Sequence, residues 1–197
     1  MLVAFPPLAR LCRLAPLLLV LGCSQAAAVP PAPSAPPGDL LAIGDSIRIG
    51  WARYLKCEQP ADNCGDTRNG VRSIERWTGG RHWRTVVLNF GLHDIHHNVP
   101  LDEYCRNLAE IIHHIHADRI YFCTTTPGRE NNWLGRTPEN VEKYNCAARW
   151  VMAREHVQII DLYTLADQHR EWWRPDVHYT DQGYAGLANY VKRAIGL

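Results

Sequence analysis

The apolar positions of the chain fall into two alternating patterns. Short unbroken runs are the first: Leu40-Leu41-Ala42-Ile43 before Gly44, Thr85-Val86-Val87-Leu88 before Asn89-Phe90-Gly91, Ile120-Tyr121-Phe122-Cys123 before Thr124, and Val157-Gln158-Ile159-Ile160 before Asp161. Runs this short, bounded by turn residues, predict strands buried on both faces, as in a parallel sheet. The second pattern has helical spacing. Tyr104, Leu108, Ile111, Ile112 and Ile115 share one face of a segment starting near Leu101, and Val141, Tyr144, Ala148 and Val151 share a face of another. Thr137 followed by Pro138 is a helix start, a capping hydroxyl and then a residue suited to the first helical position. A last helix is expected over Asp181–Ile195, stopping at Gly196. Strands alternating with helices, joined by right-handed crossovers, give a three-layer α/β fold with a mostly parallel sheet. Ligands of such sheets bind at the carboxyl ends of the strands.

The first residues follow neither pattern. Arg10 and Arg13 precede an apolar run, Leu14 to Leu21, too short to span a bilayer but suited to a secretory signal. We read residues 1–22 as a signal peptide, 23–38 as a proline-rich linker and 39–197 as the folded domain. Val20-Leu21-Gly22-Cys23 has the form of a lipoprotein cleavage site with Cys23 as the acylated residue; cleavage after Ala28 is the alternative. Five prolines between residues 30 and 37 favour an extended tether. The expected location is therefore periplasmic or cell-surface, with membrane contact only through an N-terminal lipid.

Composition narrows the function classes. The 197 residues are 46% hydrophobic and 21% charged, a globular profile for one domain, and the net charge of +1 gives no electrostatic case for nucleic acid. Loss of the signal would leave 19 basic against 20 acidic residues. Export gives the cysteines an oxidising surrounding. Cys57 and Cys64 bracket a short turn-rich loop that a disulfide would close; Cys105–Cys146 is a weaker pairing, each of the two being otherwise a separate buried thiol; Cys123, inside a strand, reads as a free thiol. No metal site is expected: the chain has no CxxC, and adjacent His96 and His97 point different ways on a helix.

The candidate chemistry sits at strand ends. Gly44-Asp45-Ser46 follows the first strand, where a serine at a strand-to-helix turn has its hydroxyl and its own N–H near a helix start. Gly91-Leu92-His93-Asp94 follows the second, and Asp176-Val177-His178 lies just before the last helix. With Asn69-Gly70 between them, these blocks resemble, in order and separation, the SGNH, or GDSL, hydrolases, over nearly the whole domain. The resemblance implies a flavodoxin-like SGNH-hydrolase sheet, no cofactor, and a serine esterase. In it Ser46 is the nucleophile, His178 the base and Asp176 its orienter, while Ser46 and Gly70 N–H groups with His93 form the oxyanion hole. His93 stands where the family usually has Asn, and Asp176 lies two residues before the histidine where the family's acid lies three before. Asp161 is the reserve orienter, and Asn89 the reserve for the side-chain oxyanion donor in place of His93, although its register differs from the family position. The expected partner is a small-molecule or glycan ester of a carbohydrate or lipid, cleaved through an acyl-enzyme; O-acyl transfer at the same site, or an impaired glycan-binding domain, are the alternatives. Arg48 reads either as exposed helix or as an anchor for an anionic substrate, and Trp133 as either a sugar platform or an edge residue.

Overall fold

The computed structural model describes residues 38–128 and 135–197. The signal, Cys23, Ala28, nearly all of the linker and Trp133 lie outside the described residues. Four parallel strands form the sheet in the order β1 (Gly38–Gly44), β2 (Trp83–Asn89), β3 (Ala117–Cys123) and β4 (Gln158–Ile160). Each expected apolar run lies within or across one of them. The outer edge of β1 takes one more rung, because Ala42 N–H donates to Glu58 O and Glu58 N–H to Leu40 O, both at 2.9 Å. Counting that rung as a strand, the order is the 2-1-3-4-5 of flavodoxin-like sheets.

Helices cover both faces. On one side pack α1 (Ser46–Ala52), α6 (Leu162–Gln168) and α7 (Asp181–Ile195); on the other pack α2 (Thr67–Thr78), α4 (Leu101–His113) and α5 (Pro138–Arg154) with the short α3 (Leu92–His96). The capping signals work as their chemistry requires: Thr137 Oγ1 accepts Asn140 N–H at 3.3 Å, and Thr180 Oγ1 accepts Gly183 N–H at 3.2 Å. Gly196 closes α7 in the left-handed conformation, φ 81°.

The core lies between sheet and helices. Ala42, Ile43, Val86, Val87, Leu88 and Phe122 from the strands are wholly buried, against Tyr104, Leu108 and Ile111 of α4 and Leu187, Ala188 and Val191 of α7. Each buried aliphatic or aromatic side chain contributes about 1.5–3 kcal/mol, so this interior holds the strand ends in fixed register.

Among the described residues the expected disulfides are absent, whereas Cys123 is a buried free thiol as expected. Cys57, Cys64, Cys105, Cys123 and Cys146 are all free thiols. Cys64 Sγ faces the Arg48 guanidinium at 3.5 Å, and Cys57 Sγ faces Ala52 O at 3.8 Å, so the loop between them is closed by other bonds. The Cys57–Cys64 and Cys105–Cys146 bridges are thus corrected.

Candidate active site

The strand-to-helix turn after β1 sets the first group. Asp45 caps α1, its Oδ1 accepting Ile47 N–H at 2.9 Å, and Ser46 begins the helix. A first-turn N–H has no acceptor within its own helix, so Ser46 N–H is left without an intrahelical partner on the same residue as the hydroxyl. Asp45 is buried, and burial raises its pKa to about 6.

The loop before α7 sets the second group. Trp173 and Tyr179 form an antiparallel bridge, Arg174 N–H donates to His178 O at 3.0 Å, and Tyr179 OH donates to Pro127 O. Pro175, Asp176 and Val177 form the tip of this small hairpin. Asp176 bonds His178 twice: Oδ1 accepts its backbone N–H at 2.8 Å and Oδ2 faces ring Nδ1 at 2.9 Å. Burial pushes the Asp176 carboxyl up, but these bonds outweigh it and hold the pKa below the usual carboxylate range. The other ring nitrogen, Nε2, lies 2.9 Å from Ser46 Oγ. Ser46, His178 and Asp176 are thereby brought into one hydrogen-bonded line from residues 132 positions apart. The reserve acid is used elsewhere: Asp161 caps α6 at Thr164, accepts Thr124 Oγ1 at 3.0 Å and pairs with Arg149 at 3.1 Å.

Gly70 requires a correction. It lies inside α2, where its N–H donates to Asp66 O at 3.1 Å and is closed to a ligand. A Cβ there would sit 2.5 Å from Ile111 Cδ1, so this glycine serves the close approach of α2 and α4. The loop glycine near His93 is Gly65, in the left-handed conformation at φ 66°. Its N–H donates to Asn63 Oδ1 at 2.9 Å, and Asn63 Nδ2 lies 3.4 Å from His93 Nε2. Neither Asn63 nor Gly65 was singled out by the sequence; the Gly65-Asp66-Thr67 turn, a flexible residue before a capping carboxylate, was the available signal. Asn89 is buried in β2, its Nδ2 donating to Cys123 O at 3.4 Å, away from the His93 position.

His93 is half-buried on α3, and its pKa is pushed down to about 4, by burial first and then by the Arg136 cation. Arg136 Nε donates to Leu92 O at 2.9 Å, one residue before. The next residue, Asp94, ties α3 to the start of α2: its Oδ1 accepts Thr67 N–H at 3.0 Å and Thr67 Oγ1 at 2.6 Å. Asp94 is wholly buried, its Oδ2 has no partner among the described residues, and burial lifts its pKa to about 7.

Both readings of Arg48 are replaced. It is fully buried, and its guanidinium binds Gly44 O at 3.0 Å, Asp62 O at 2.9 Å and Gln59 Oε1 at 2.5 Å. It fastens the 59–64 loop to the Ser46 turn and has no donor left for substrate. The rings of His93 and His97 lie 6.0 Å apart and those of His96 and His97 5.0 Å apart, while His97 Nδ1 pairs with Asp66 at 2.8 Å and His113 Nε2 with Glu155 at 2.7 Å. Among the described residues no three His, Cys, Asp or Glu side chains are grouped to hold a metal.

A parallel α/β sheet with serine, histidine and carboxylate aligned at its strand ends is the architecture of a serine hydrolase. The family model described as the GDSL-like lipase/acylhydrolase family matches residues 42–185. The chain belongs to that family. Solved structures of like fold include a GDSL-like lipase from Bacteroides thetaiotaomicron, 16% identical over 80% of this chain and 87% of that one, with a TM-score of 0.67. A lipase/acylhydrolase from Enterococcus faecalis is 18% identical over 80% and 95%, with a TM-score of 0.64. An acetylxylan esterase from Geobacillus stearothermophilus is 17% identical over 81% and 94%, with a TM-score of 0.62. No curated protein matches the chain in sequence.

Proposed function

We propose that this acylhydrolase removes an O-acyl group from a carbohydrate or lipid outside the cytoplasm, through an acyl-enzyme on Ser46. The observation that carries the mechanism is the line Asp176–His178–Ser46, with 2.9 Å at each ring nitrogen. His178 takes the hydroxyl proton as Ser46 Oγ adds to the ester carbonyl. Asp176 holds the ring with Nδ1 protonated, so Nε2 is the accepting nitrogen, and it supports the imidazolium that forms. Ser46 N–H donates to the developing oxyanion. The alcohol leaves with the proton from His178, and water, activated by the same ring, releases the acid. A complete line of this kind favours hydrolysis over the impaired, glycan-binding alternative.

The carbohydrate side of the proposal draws support from the acetylxylan esterase of like fold. The extracytoplasmic side draws on the residues 1–22 signal pattern and on Cys23 as a lipid anchor. Purified domain, residues 39–197, assayed on acetylated oligosaccharides and on p-nitrophenyl esters of increasing chain length, tests the substrate class. Turnover of the oligosaccharide acetate or of the long-chain p-nitrophenyl esters supports the reading; no turnover of any of these esters would contradict it. Mass spectrometry of the exported protein, read at the N-terminus, tests the anchor: a diacylated Cys23 supports it, and an unmodified start at Val29 overturns it.

A further inference from the structure

Asn63 stands on the loop between the Glu58 rung and α2, exposed, and its amide has only one consistent orientation. Gly65 N–H is a donor, so the atom it meets at 2.9 Å must be the carbonyl oxygen Oδ1. The NH2 end therefore faces His93 Nε2 at 3.4 Å. An amide nitrogen accepts nothing, so Nε2 must be the acceptor, and the neutral ring carries its proton on Nδ1. Burial and the Arg136 cation keep that ring neutral, with its pKa near 4. In this tautomer His93 has no N–H on the side that faces the loop. The second hydrogen of Asn63 Nδ2 remains, and acceptance at Oδ1 strengthens it as a donor.

The loop that carries Asn63 is fixed against the turn that carries Ser46. Cys64 N–H donates to Gly44 O at 3.1 Å, and the Arg48 guanidinium holds the Asp62 carbonyl at 2.9 Å. Asn63 lies between those two tethers.

We propose that Asn63 supplies the side-chain N–H to the ester oxygen during attack by Ser46, and that His93 acts behind it as the acceptor that aims the amide. The inference rests on Ser46 as the nucleophile. As Ser46 Oγ bonds to the acyl carbon, the carbonyl π pair moves onto the oxygen and the hydroxyl proton passes to His178 Nε2. Asn63 donates a hydrogen bond to that oxygen and loses no proton. When the tetrahedral species collapses the pair returns, and the alcohol departs with the proton from His178. His93 is then a positioning residue, and the side-chain donor comes from the loop before α2.

The test is a set of variants assayed on p-nitrophenyl acetate: Asn63→Ala, Asn63→Asp, His93→Ala and the Asn63→Ala/His93→Ala double variant, beside Ser46→Ala. Asn63→Asp retains the acceptor for Gly65 N–H and lacks the donor. Both Asn63 variants should lose about 10²–10³ in kcat with little change in KM, as expected for one oxyanion donor. The double variant should be no slower than Asn63→Ala, because His93 acts only through that amide. Nitrogen NMR of the wild-type His93 ring should show the Nδ1–H tautomer, a readout that does not depend on any variant folding. Asn63 variants within threefold of wild type, a still slower double variant, or an Nε2–H ring would each overturn the proposal. Activity surviving in Ser46→Ala would instead overturn the nucleophile on which it rests.

Discussion

Asp176 and His178, two residues apart, are joined by both carboxylate oxygens, one on the backbone N–H at 2.8 Å and one on ring Nδ1 at 2.9 Å. This pair of hydrogen bonds to a near neighbour shows how the acid reaches the ring from so short a separation: the carboxylate turns back over its own tight loop. Asp176→Asn would present an amide to the ring and favour the wrong tautomer. Activity should fall by up to about 10⁴. Asp161→Asn, which keeps a capping oxygen for α6 and loses only the charge facing Arg149, should leave kcat near wild type and cost less than about 1 kcal/mol of stability. Steady-state kinetics and urea unfolding of the two variants separate the roles; a severe kinetic defect in Asp161→Asn with a mild one in Asp176→Asn would reverse them.

Arg48→Met should remove the clamp on the 59–64 loop. The carbonyls of Gly44 and Asp62 lose a charged donor, at a cost of about 3 kcal/mol. The midpoint of urea unfolding should drop accordingly, and kcat should fall because the loop no longer fixes Asn63. An unchanged midpoint would mean that Arg48 is not a clamp.

Gly70→Ala probes the packing role assigned to that position. The new methyl meets the end of the Ile111 side chain, itself wholly buried; overpacking of about 1–3 kcal/mol exceeds the roughly 1 kcal/mol that alanine gains in a helix, so stability should fall modestly while kcat stays near wild type. A variant as stable as wild type would contradict the close approach of α2 and α4.

Asp94 gives stability a pH dependence of definite sign. The folded chain keeps its proton up to about pH 7, whereas an unfolded aspartate releases it near 4. Between those values the folded state binds more protons, so this contribution falls as pH rises, by up to about 1.4 kcal/mol per unit. Asp45, raised to about 6, acts in the same direction over the lower part of the window, and His93, lowered to about 4, acts in the opposite direction between 4 and 6.5. Comparison with Asp94→Asn isolates the Asp94 share. The variant should gain on wild type as pH rises from 4 to 7, with no further gain above. A stability difference constant across that range would contradict the buried, protonated carboxyl.

The parts of the molecule legible in the sequence are those written in local pattern. Strands β1, β2 and β3 each contain a short unbroken apolar run, Leu40–Ile43, Val86–Leu88 and Ile120–Cys123, where both faces are covered, and α5 and α7 start with a capping threonine and carry a clear apolar face. Ser46, Asp176 and His178 each sit in a short block whose turn geometry is set by immediate neighbours. Helix α2 was missed: Thr67–Thr78 is mostly polar with Gly70 inside, although Val71, Ile74 and Thr78 recur at helical spacing between a capping Asp66 and a closing Gly79. That hidden helix is why Gly70 looked like a loop donor. Asn63 and Arg48 were illegible for a further reason. Their roles depend on each other across the folded loop, and no spacing in the chain records a guanidinium turned inward to bind carbonyls 12 and 14 residues away.

Acyl-enzyme trapping tests the central claim most directly. Wild-type protein mixed with p-nitrophenyl acetate, quenched in acid within a turnover and digested, should yield a single acetylated peptide with the modification on Ser46. Ser46→Ala, folded to the same circular dichroism spectrum, should yield none and should lose at least about 10³ in kcat. An adduct on another residue, or near-normal turnover in Ser46→Ala, would contradict the account.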